Sequence, residues 1–140
     1  GLLWFTEQYG FGEVIGFVGG INGLFNGTSI VITKQNFSLY KNQGGGDYLG
    51  CSTQYLPWEG EGHLEEFEKI HKSLKNLHID GLVVTGATHN MSSACYLAEY
   101  LVQKGSDVRI IGVPTTVDGN MKHGFIEATV GFDTASKVFS

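Results

Sequence analysis

The second half of the chain alternates apolar runs with an amphipathic stretch. Residues 81–85 and 109–113 are short apolar runs rich in β-branched side chains, which is typical of buried strands. Between them, residues 90–104 repeat apolar positions at helical spacing, and Gly105 follows as a typical C-terminal cap. A strand, a helix and a second strand in this order predict a parallel sheet.

The first half of the chain predicts shorter elements. The pattern indicates the end of a helix over residues 2–9, closed by Gly10, and short strands over residues 14–18 and 30–32. A compact glycine-containing turn is predicted between these strands. Residues 34–49 are rich in glycine and predict a loop.

A longer helix is predicted over residues 62–77. Its apolar stripe comprises Leu64, Phe67, His71, Leu74 and Leu77. Because residues 81–85 form a continuous apolar run, they are the best candidate for the central strand of the sheet. The pattern as a whole predicts an α/β fold with a doubly wound, mostly parallel sheet and helices on both faces.

Composition narrows the functional classes. A length of 140 residues allows one domain, and 9 basic against 14 acidic residues give a net charge of −5. No basic stripe for nucleic acid occurs, and no apolar run reaches the roughly 20 residues that a membrane span needs. Two cysteines in unrelated segments predict reduced thiols in a cytoplasmic protein.

Candidate chemistry follows the strand of residues 109–113. The Gly-Val-Pro sequence of residues 112–114 predicts that this strand ends abruptly. A polar turn with Thr116 and Asp118 follows. Ligands bind at the carboxyl ends of strands in open α/β sheets, and a carboxylate there can act as a general base toward a hydroxyl. The alternative is an ordinary solvated turn, since Asp, Gly and Asn are common turn residues.

A second candidate follows the strand of residues 81–85. Gly86, Ala87 and Thr88 join that strand to the next helix. A helix start offers unpaired N–H groups that suit a phosphate, and glycine lets the backbone approach it closely. The alternative is a plain strand-to-helix turn with Thr88 or Asn90 as the helix N-cap.

Five segments carry a further signal through their order and spacing: Gly23-Leu24 and residues 42–50, 79–86, 98–100 and 112–135. Together they resemble the phosphofructokinases, most closely the pyrophosphate-dependent branch. The resemblance implies the Rossmann-like large subdomain of that family. It also implies that residues 1–140 are an incomplete fragment, the phosphoryl-donor-binding part, from which the sugar-phosphate subdomain is absent.

The resemblance also implies a reaction and a set of residues. The family transfers a phosphoryl group to the 1-hydroxyl of fructose 6-phosphate, so Asp118 is expected to be the base, with Thr116 and Lys122 beside it on the substrate side. The residues expected on the donor side are Gly44, Gly45, Gly86, Ala87 and Thr88.

Several charged positions of the family pattern are neutral in this sequence. Thr88 takes the place of the Asp that is linked to Mg²⁺ in the family, which puts that metal in doubt here and predicts no metal ligand at this loop. Thr115 takes the place of a lysine, Thr53 that of an arginine, and Asn120 that of a second Asp. Such losses resemble the regulatory, alpha-type subunit of the pyrophosphate-dependent enzymes.

Three hypotheses follow. The favoured one is a regulatory or catalytically degenerate domain of a pyrophosphate-dependent phosphofructokinase, which binds a phosphate-bearing small molecule and a catalytic domain or subunit in a homo- or hetero-oligomer. The second is an active domain that uses pyrophosphate or ATP, with Asp118 as the base. The third is an unrelated nucleotide-binding α/β domain. The fragment alone is predicted to be inactive, and neither nucleic acid nor a membrane is an expected partner.

Overall fold

The computed structural model describes residues 1–41, 46–52, 54, 63–121, 123–127 and 129–140. It divides into two compact units. The first comprises Gly1–Tyr55 and Glu68–Leu77, and the second comprises Leu56–Phe67 and His78–Ser140. Each unit contains one described sheet.

The first unit contains an antiparallel pair of strands. The chain forms helix α1 (Leu2–Tyr9), strand β1 (Val14–Phe17), helix α2 (Ile21–Asn26) and strand β2 (Ser29–Ile32). Strand β1 pairs antiparallel with β2 because the short α2 returns the chain in the opposite direction. As predicted, Gly10 closes α1 in the left-handed conformation, with φ of 68°.

The region around Gly23 is a helix and not the predicted turn. A Cβ atom on Gly23 would lie 2.8 Å from the backbone nitrogen of Val18 and 2.9 Å from the carbonyl oxygen of Thr28. Here the chain crosses itself, and the Val18 N–H donates to the Thr28 carbonyl over 3.0 Å. Glycine is required because no side chain fits between these backbone segments.

The predicted loop over residues 34–49 also contains a helix. Helix α3 (Lys34–Phe37) begins with a capping box. The Asn36 N–H donates to the Thr33 hydroxyl over 3.3 Å, and the Thr33 N–H donates to the Asn36 amide oxygen over 2.8 Å. Residues 42–45 of the same stretch lie outside the described residues.

Helix α4 (His63–Asn76) confirms the long helix predicted over residues 62–77. Its buried side chains are Phe67, Ile70 and Leu74. The predicted stripe was wrong at one end, because Leu64 is 57% exposed, and it omitted Ile70, which is completely buried.

The second unit contains the predicted parallel sheet. Strand β3 (Gly81–Gly86) is followed by helix α5 (Thr88–Gln103), strand β4 (Arg109–Thr116), strand β5 (Val130–Gly131) and helix α6 (Phe132–Phe139). The strand order is β3-β4-β5, and both pairings are parallel. Among the described strands β4 is therefore central and β3 lies at the edge, which corrects the expectation for residues 81–85.

Helix α5 packs against β3 and β4 and supplies most of this unit's core. Its buried side chains include Leu97 and Leu101, which are 0% and 1% exposed. On the strand side, a Cβ atom on Gly112 would lie 2.8 Å from the sulfur of Met91, so helix and strand approach closely. As predicted, the left-handed Gly105 follows the helix.

Strand β4 continues beyond its predicted end. Proline has no N–H to donate, so residues 112–114 were expected to stop the strand. The strand instead runs through Pro114 to Thr116, because β5 pairs with Thr115 and Thr116 directly after the proline. Thr116 is consequently the last residue of a strand and not part of the turn.

Cys51 and Cys95 are free thiols, and both are exposed. Within the described part of the chain, no helix has the length and apolar character needed to cross a membrane.

Candidate functional site

The carboxyl ends of β3 and β4 meet at one cleft of about 350 Å³. In the parallel register Gly86 lies opposite Pro114, so the segments that leave the two strands start side by side. The cleft, called the strand-end cleft below, is lined by Ala87, Thr88, Thr115, Thr116, Val117, Asp118, Asn120, Met121 and Gly131. The structure therefore brings together the two candidate segments that the sequence places 30 residues apart, at Thr88 and Asp118.

The β4 side of the cleft is held by hydrogen bonds between Thr116, the last residue of β4, and the turn that follows it. The Thr116 hydroxyl donates to the Asn120 amide oxygen over 2.8 Å and accepts from the Asp118 N–H over 3.1 Å. Gly119 completes the turn with φ of +65°. Threonine hydroxyls commonly stabilise turns by accepting from the N–H two residues onward.

The Asp118 carboxylate is the only ionisable side chain among the described lining residues of the cleft. Asp118 is exposed, and its carboxylate has no hydrogen bond or ion pair with any other described residue. Its backbone N–H is fixed through Thr116, whereas its carboxylate stays open to the cleft that it lines. The group is thus available to accept a proton or a hydrogen bond from a ligand.

The β3 side is the start of helix α5. Ala87 is the N-cap and no side chain caps the helix, so neither Thr88 nor Asn90 has the capping role that the alternative of a plain turn gave it. The Asn90 side chain packs against Gly86 instead, because a Cβ atom on Gly86 would lie 2.8 Å from the Asn90 Cβ. The Asn90 N–H donates to the Ala87 carbonyl over 2.9 Å, so the helix start would attract an anion mainly through the positive end of its dipole, at Ala87 and Thr88.

Strand β5 closes the cleft beside Thr116. Gly131 has φ of +100°, and a Cβ atom there would lie 3.0 Å from the Thr116 carbonyl oxygen. A Cβ on Gly119 would lie 2.9 Å from the Phe132 ring. Gly131, Val117 and Met121 also line the cleft, and none of them was predicted from the sequence as a site residue. The one available signal was the glycine that begins residues 131–135, a segment of the family pattern.

Charge is scarce in the strand-end cleft. Asp118 is its only ionisable residue among the described lining residues, and Thr88 and Thr115 contribute neutral hydroxyls. The other predicted site residues, Lys122, Gly44 and Gly45, lie outside the described residues, as does Thr53.

The described lining residues offer a magnesium ion a single carboxylate. Mg²⁺ prefers anionic oxygen ligands, and on the β3 side of the cleft Thr88 contributes only a neutral hydroxyl. Asp118 is the single carboxylate and is also the candidate base. In the part of the chain that the structure describes, no group of three or more His, Cys, Asp or Glu side chains could hold a metal.

A second cavity, of about 580 Å³, shares the lining residue Met121 with the strand-end cleft. Its walls include His123, Glu127 and Asp133. Asp133 forms an exposed ion pair of 2.6 Å with Lys137. The second cavity therefore has two carboxylates in its walls, one of them paired with a lysine, where the strand-end cleft has one.

Comparison with known proteins gives a consistent result along the chain. The sequence profile "Phosphofructokinase" matches residues 4–140. The chain is 36% identical over 130 residues to subunit alpha 2 of pyrophosphate–fructose 6-phosphate 1-phosphotransferase of Arabidopsis thaliana, covering 91% of this chain and 20% of that protein. It is 37% identical over 125 residues to the beta subunit of the Solanum tuberosum enzyme, covering 89% of this chain and 21% of that protein.

The fold also matches a solved structure. A pyrophosphate-dependent phosphofructokinase from Marinobacter aquaeolei superimposes with a TM-score of 0.72 at 20% identity, covering 93% of this chain and 32% of that one. The chain spans about a fifth of the length of the curated relatives that it matches. The hypothesis of an unrelated nucleotide-binding domain is wrong, because the profile match extends over nearly every residue: the chain belongs to the phosphofructokinase family.

Proposed function

We propose that this chain is the phosphoryl-donor-side part of a pyrophosphate-dependent 6-phosphofructokinase, and that this domain is regulatory or catalytically degenerate. The whole protein would transfer a phosphoryl group from pyrophosphate to the 1-hydroxyl of fructose 6-phosphate. Relatives named for this reaction, including alpha and beta subunits, support the reaction class. Their similar identities to the chain, 36% and 37%, do not favour either subunit type.

The charge of the strand-end cleft carries the proposal of a degenerate site. Phosphoryl transfer depends mainly on metal ions and cationic side chains that neutralise charge in the transition state. The described walls of the cleft contain Asp118 and no cation, with hydroxyls of Thr88 and Thr115 at positions where the family pattern has Asp and Lys. Such a lining can bind a hydroxylated or phosphorylated ligand more readily than it can stabilise the transfer.

The second candidate, an active domain, is favoured by one observation. The carboxylate of Asp118 is exposed, and its backbone is held by the Thr116 hydroxyl at the carboxyl end of a strand. In an active domain Asp118 would accept the proton of the sugar hydroxyl, and the start of α5 would donate hydrogen bonds to a phosphate. Thr116 would then fix the turn from which Asp118 acts.

The partners follow from the same proposal. A degenerate domain would need a catalytic domain or subunit of the same enzyme, and the existence of alpha and beta subunits among the relatives supports an oligomer. We place the protein in the cytoplasm, which agrees with two free and exposed cysteines.

Replacing Asp118 in the full-length protein tests the choice between the two candidates. If the domain is degenerate, Asp118→Ala should reduce phosphoryl transfer less than about a hundredfold, which corresponds to roughly 2.7 kcal/mol in the barrier. If Asp118 is the general base, the loss should be about two to four orders of magnitude. Steady-state rates with pyrophosphate and fructose 6-phosphate decide the question.

Asp107→Ala provides the matched control for that experiment. Asp107 is exposed and precedes β4, at the opposite end of the strand from the cleft. Its replacement should leave the rate unchanged. A loss above a hundredfold for Asp118→Ala alone would show that this domain is catalytic.

The isolated 140-residue chain should show no transfer with either pyrophosphate or ATP. It spans about a fifth of the length of its relatives, so the groups that hold both reactants in reactive geometry are expected elsewhere in the protein. A coupled assay on chain purified free of host enzyme measures this. Turnover that persists through purification and disappears in Asp118→Ala would contradict the expectation.

A further inference from the structure

Asn120 makes a hydrogen bond that determines whether the neighbouring Thr116 hydroxyl can donate or only accept. Its amide oxygen accepts from the Thr116 hydroxyl over 2.8 Å, and the same hydroxyl accepts from the Asp118 N–H over 3.1 Å. Thr116 is the last residue of β4, so the three residues connect the end of a strand to the candidate base. All three line the strand-end cleft.

The hydroxyl of Thr116 has one proton and two lone pairs. Asn120 receives the proton, and the Asp118 N–H takes one lone pair. The remaining lone pair can accept a hydrogen bond, but Thr116 has no proton left to donate. An ionised carboxylate also only accepts, so the corner formed by Thr116 and Asp118 presents acceptors alone.

We propose that Asn120 is a positioning residue that acts through Thr116 to fix the Asp118 turn and to set the hydrogen-bond polarity beside it. Such a corner suits a hydroxyl group of a ligand and repels a phosphate oxygen. The neutral amide therefore does more than replace an acidic residue of the family pattern. It supplies the same kind of acceptor oxygen without placing a second negative charge beside Asp118.

Amide hydrogen exchange of Asp118 in the full-length protein tests the positioning role without depending on any activity. Asn120→Leu removes the acceptor at similar size and should lower the protection of the Asp118 N–H about threefold to tenfold, the range expected for one hydrogen bond. Asn120→Asp keeps an acceptor oxygen and should restore protection to within about twofold of the original. Equal loss in both variants would overturn the proposal, since it would mean that the amide nitrogen makes the contact.

A second variant keeps the test decisive if Asn120→Leu does not fold. Thr116→Val has nearly the same shape and removes both hydrogen bonds from the other side, so it should lower protection at least as much. Combining Thr116→Val with Asn120→Leu should add nothing beyond Thr116→Val alone, because both changes break one linked pair of bonds. Additive effects would contradict the linkage. Asn76→Leu, at an exposed asparagine that ends α4, is the control and should have no effect on Asp118.

Binding of fructose 6-phosphate, measured by calorimetry on the full-length protein, tests the consequence for the ligand and rests on the proposed function. Asn120→Leu should weaken binding about threefold to tenfold, and Asn76→Leu should not change it. If exchange responds as expected but the unmodified protein does not bind fructose 6-phosphate, the proposed function fails and the role of Asn120 in the turn stands. If the protein binds and Asn120→Leu binds equally well, the positioning role in ligand recognition is refuted.

Discussion

The two walls of the strand-end cleft are built in different ways. The wall at the end of β4 fixes the backbone of Asp118, because the Asp118 N–H donates to the Thr116 hydroxyl and that hydroxyl donates to the Asn120 amide oxygen. The wall at the start of α5 has no side-chain cap and presents Ala87 and the neutral Thr88. One wall is an organised polar turn, while the other is a helix start whose lining side chains are neutral. The two walls can therefore be tested separately, by changes that affect one and leave the other intact.

Both walls depend on the same helix, and the largest expected effect tests that shared support. Leu97 is fully buried on α5, which packs against both strands, so Leu97→Ala should destabilise this unit by about 2–5 kcal/mol. Urea denaturation measures the loss, and amide exchange should show protection falling together after β3 and after β4. Val102 lies on the same helix and is 74% exposed, so the control Val102→Ala should change the free energy of unfolding by less than about 0.5 kcal/mol. Loss of protection at one wall only would contradict the expectation that both walls depend on α5.

A medium-sized effect is expected at the β3 wall alone. Gly86→Ala places a Cβ atom 2.8 Å from the Asn90 Cβ, so the start of α5 must shift, at a cost of about 1–3 kcal/mol. In the same strand, Gly81→Ala meets nothing closer than the Arg109 carbonyl oxygen at 3.8 Å and should be tolerated. Thermal or urea unfolding of the two variants compares them directly. Equal stabilities would show that Asn90 moves aside freely and that the β3 wall is not tightly packed.

The smallest expected effect restores a charge to the neutral wall. Thr88→Asp puts a carboxylate at the first position of α5, where the helix dipole should stabilise it by about 0.3–1 kcal/mol. Gln103→Asp places the same group at the other end of the helix and should destabilise it by a similar amount. Opposite signs in unfolding experiments at low salt would confirm that the α5 start attracts anions. A change in stability of the same sign for both variants would show that the helix dipole does not determine how this wall responds to charge.

The central part of the fold could be predicted because its signals are local. The apolar runs of β3 and β4 and the helical spacing of α5 each lie within a single element, and together they determine a parallel pair. Gly105 likewise predicted the end of helix α5. Short-range patterns were sufficient wherever an element buries one face against its sequence neighbours.

The remaining features depend on residues that are distant in sequence or that lack periodicity. The continuation of β4 through Pro114 requires β5, a strand of only two residues that no pattern reveals. Helix α2 contains Gly23, a poor helix former, which is present because two backbone segments meet there.

The candidate site divides in the same way. Asp118 and Thr116 could be named from their place after a strand, and the structure brings them to one cleft with Thr88. The bond between Thr116 and Asn120 could not be predicted, because a turn's internal hydrogen bonds depend on side-chain directions that residue types do not specify. From the sequence, Asn120 could be interpreted only as a neutral residue at the position of a second Asp in the family pattern.

The two cysteines lie in different units, so labels attached to them allow a distance between the two units to be measured. Cys51 belongs to the unit that contains β1 and β2, and Cys95 lies on α5 in the unit that contains the strand-end cleft. Both thiols are exposed and free, so a pair of maleimide dyes or spin labels can be attached to the 140-residue chain without adding or removing a cysteine. The label-to-label distance, followed while pyrophosphate or fructose 6-phosphate is titrated, then reports directly whether a ligand moves one unit against the other.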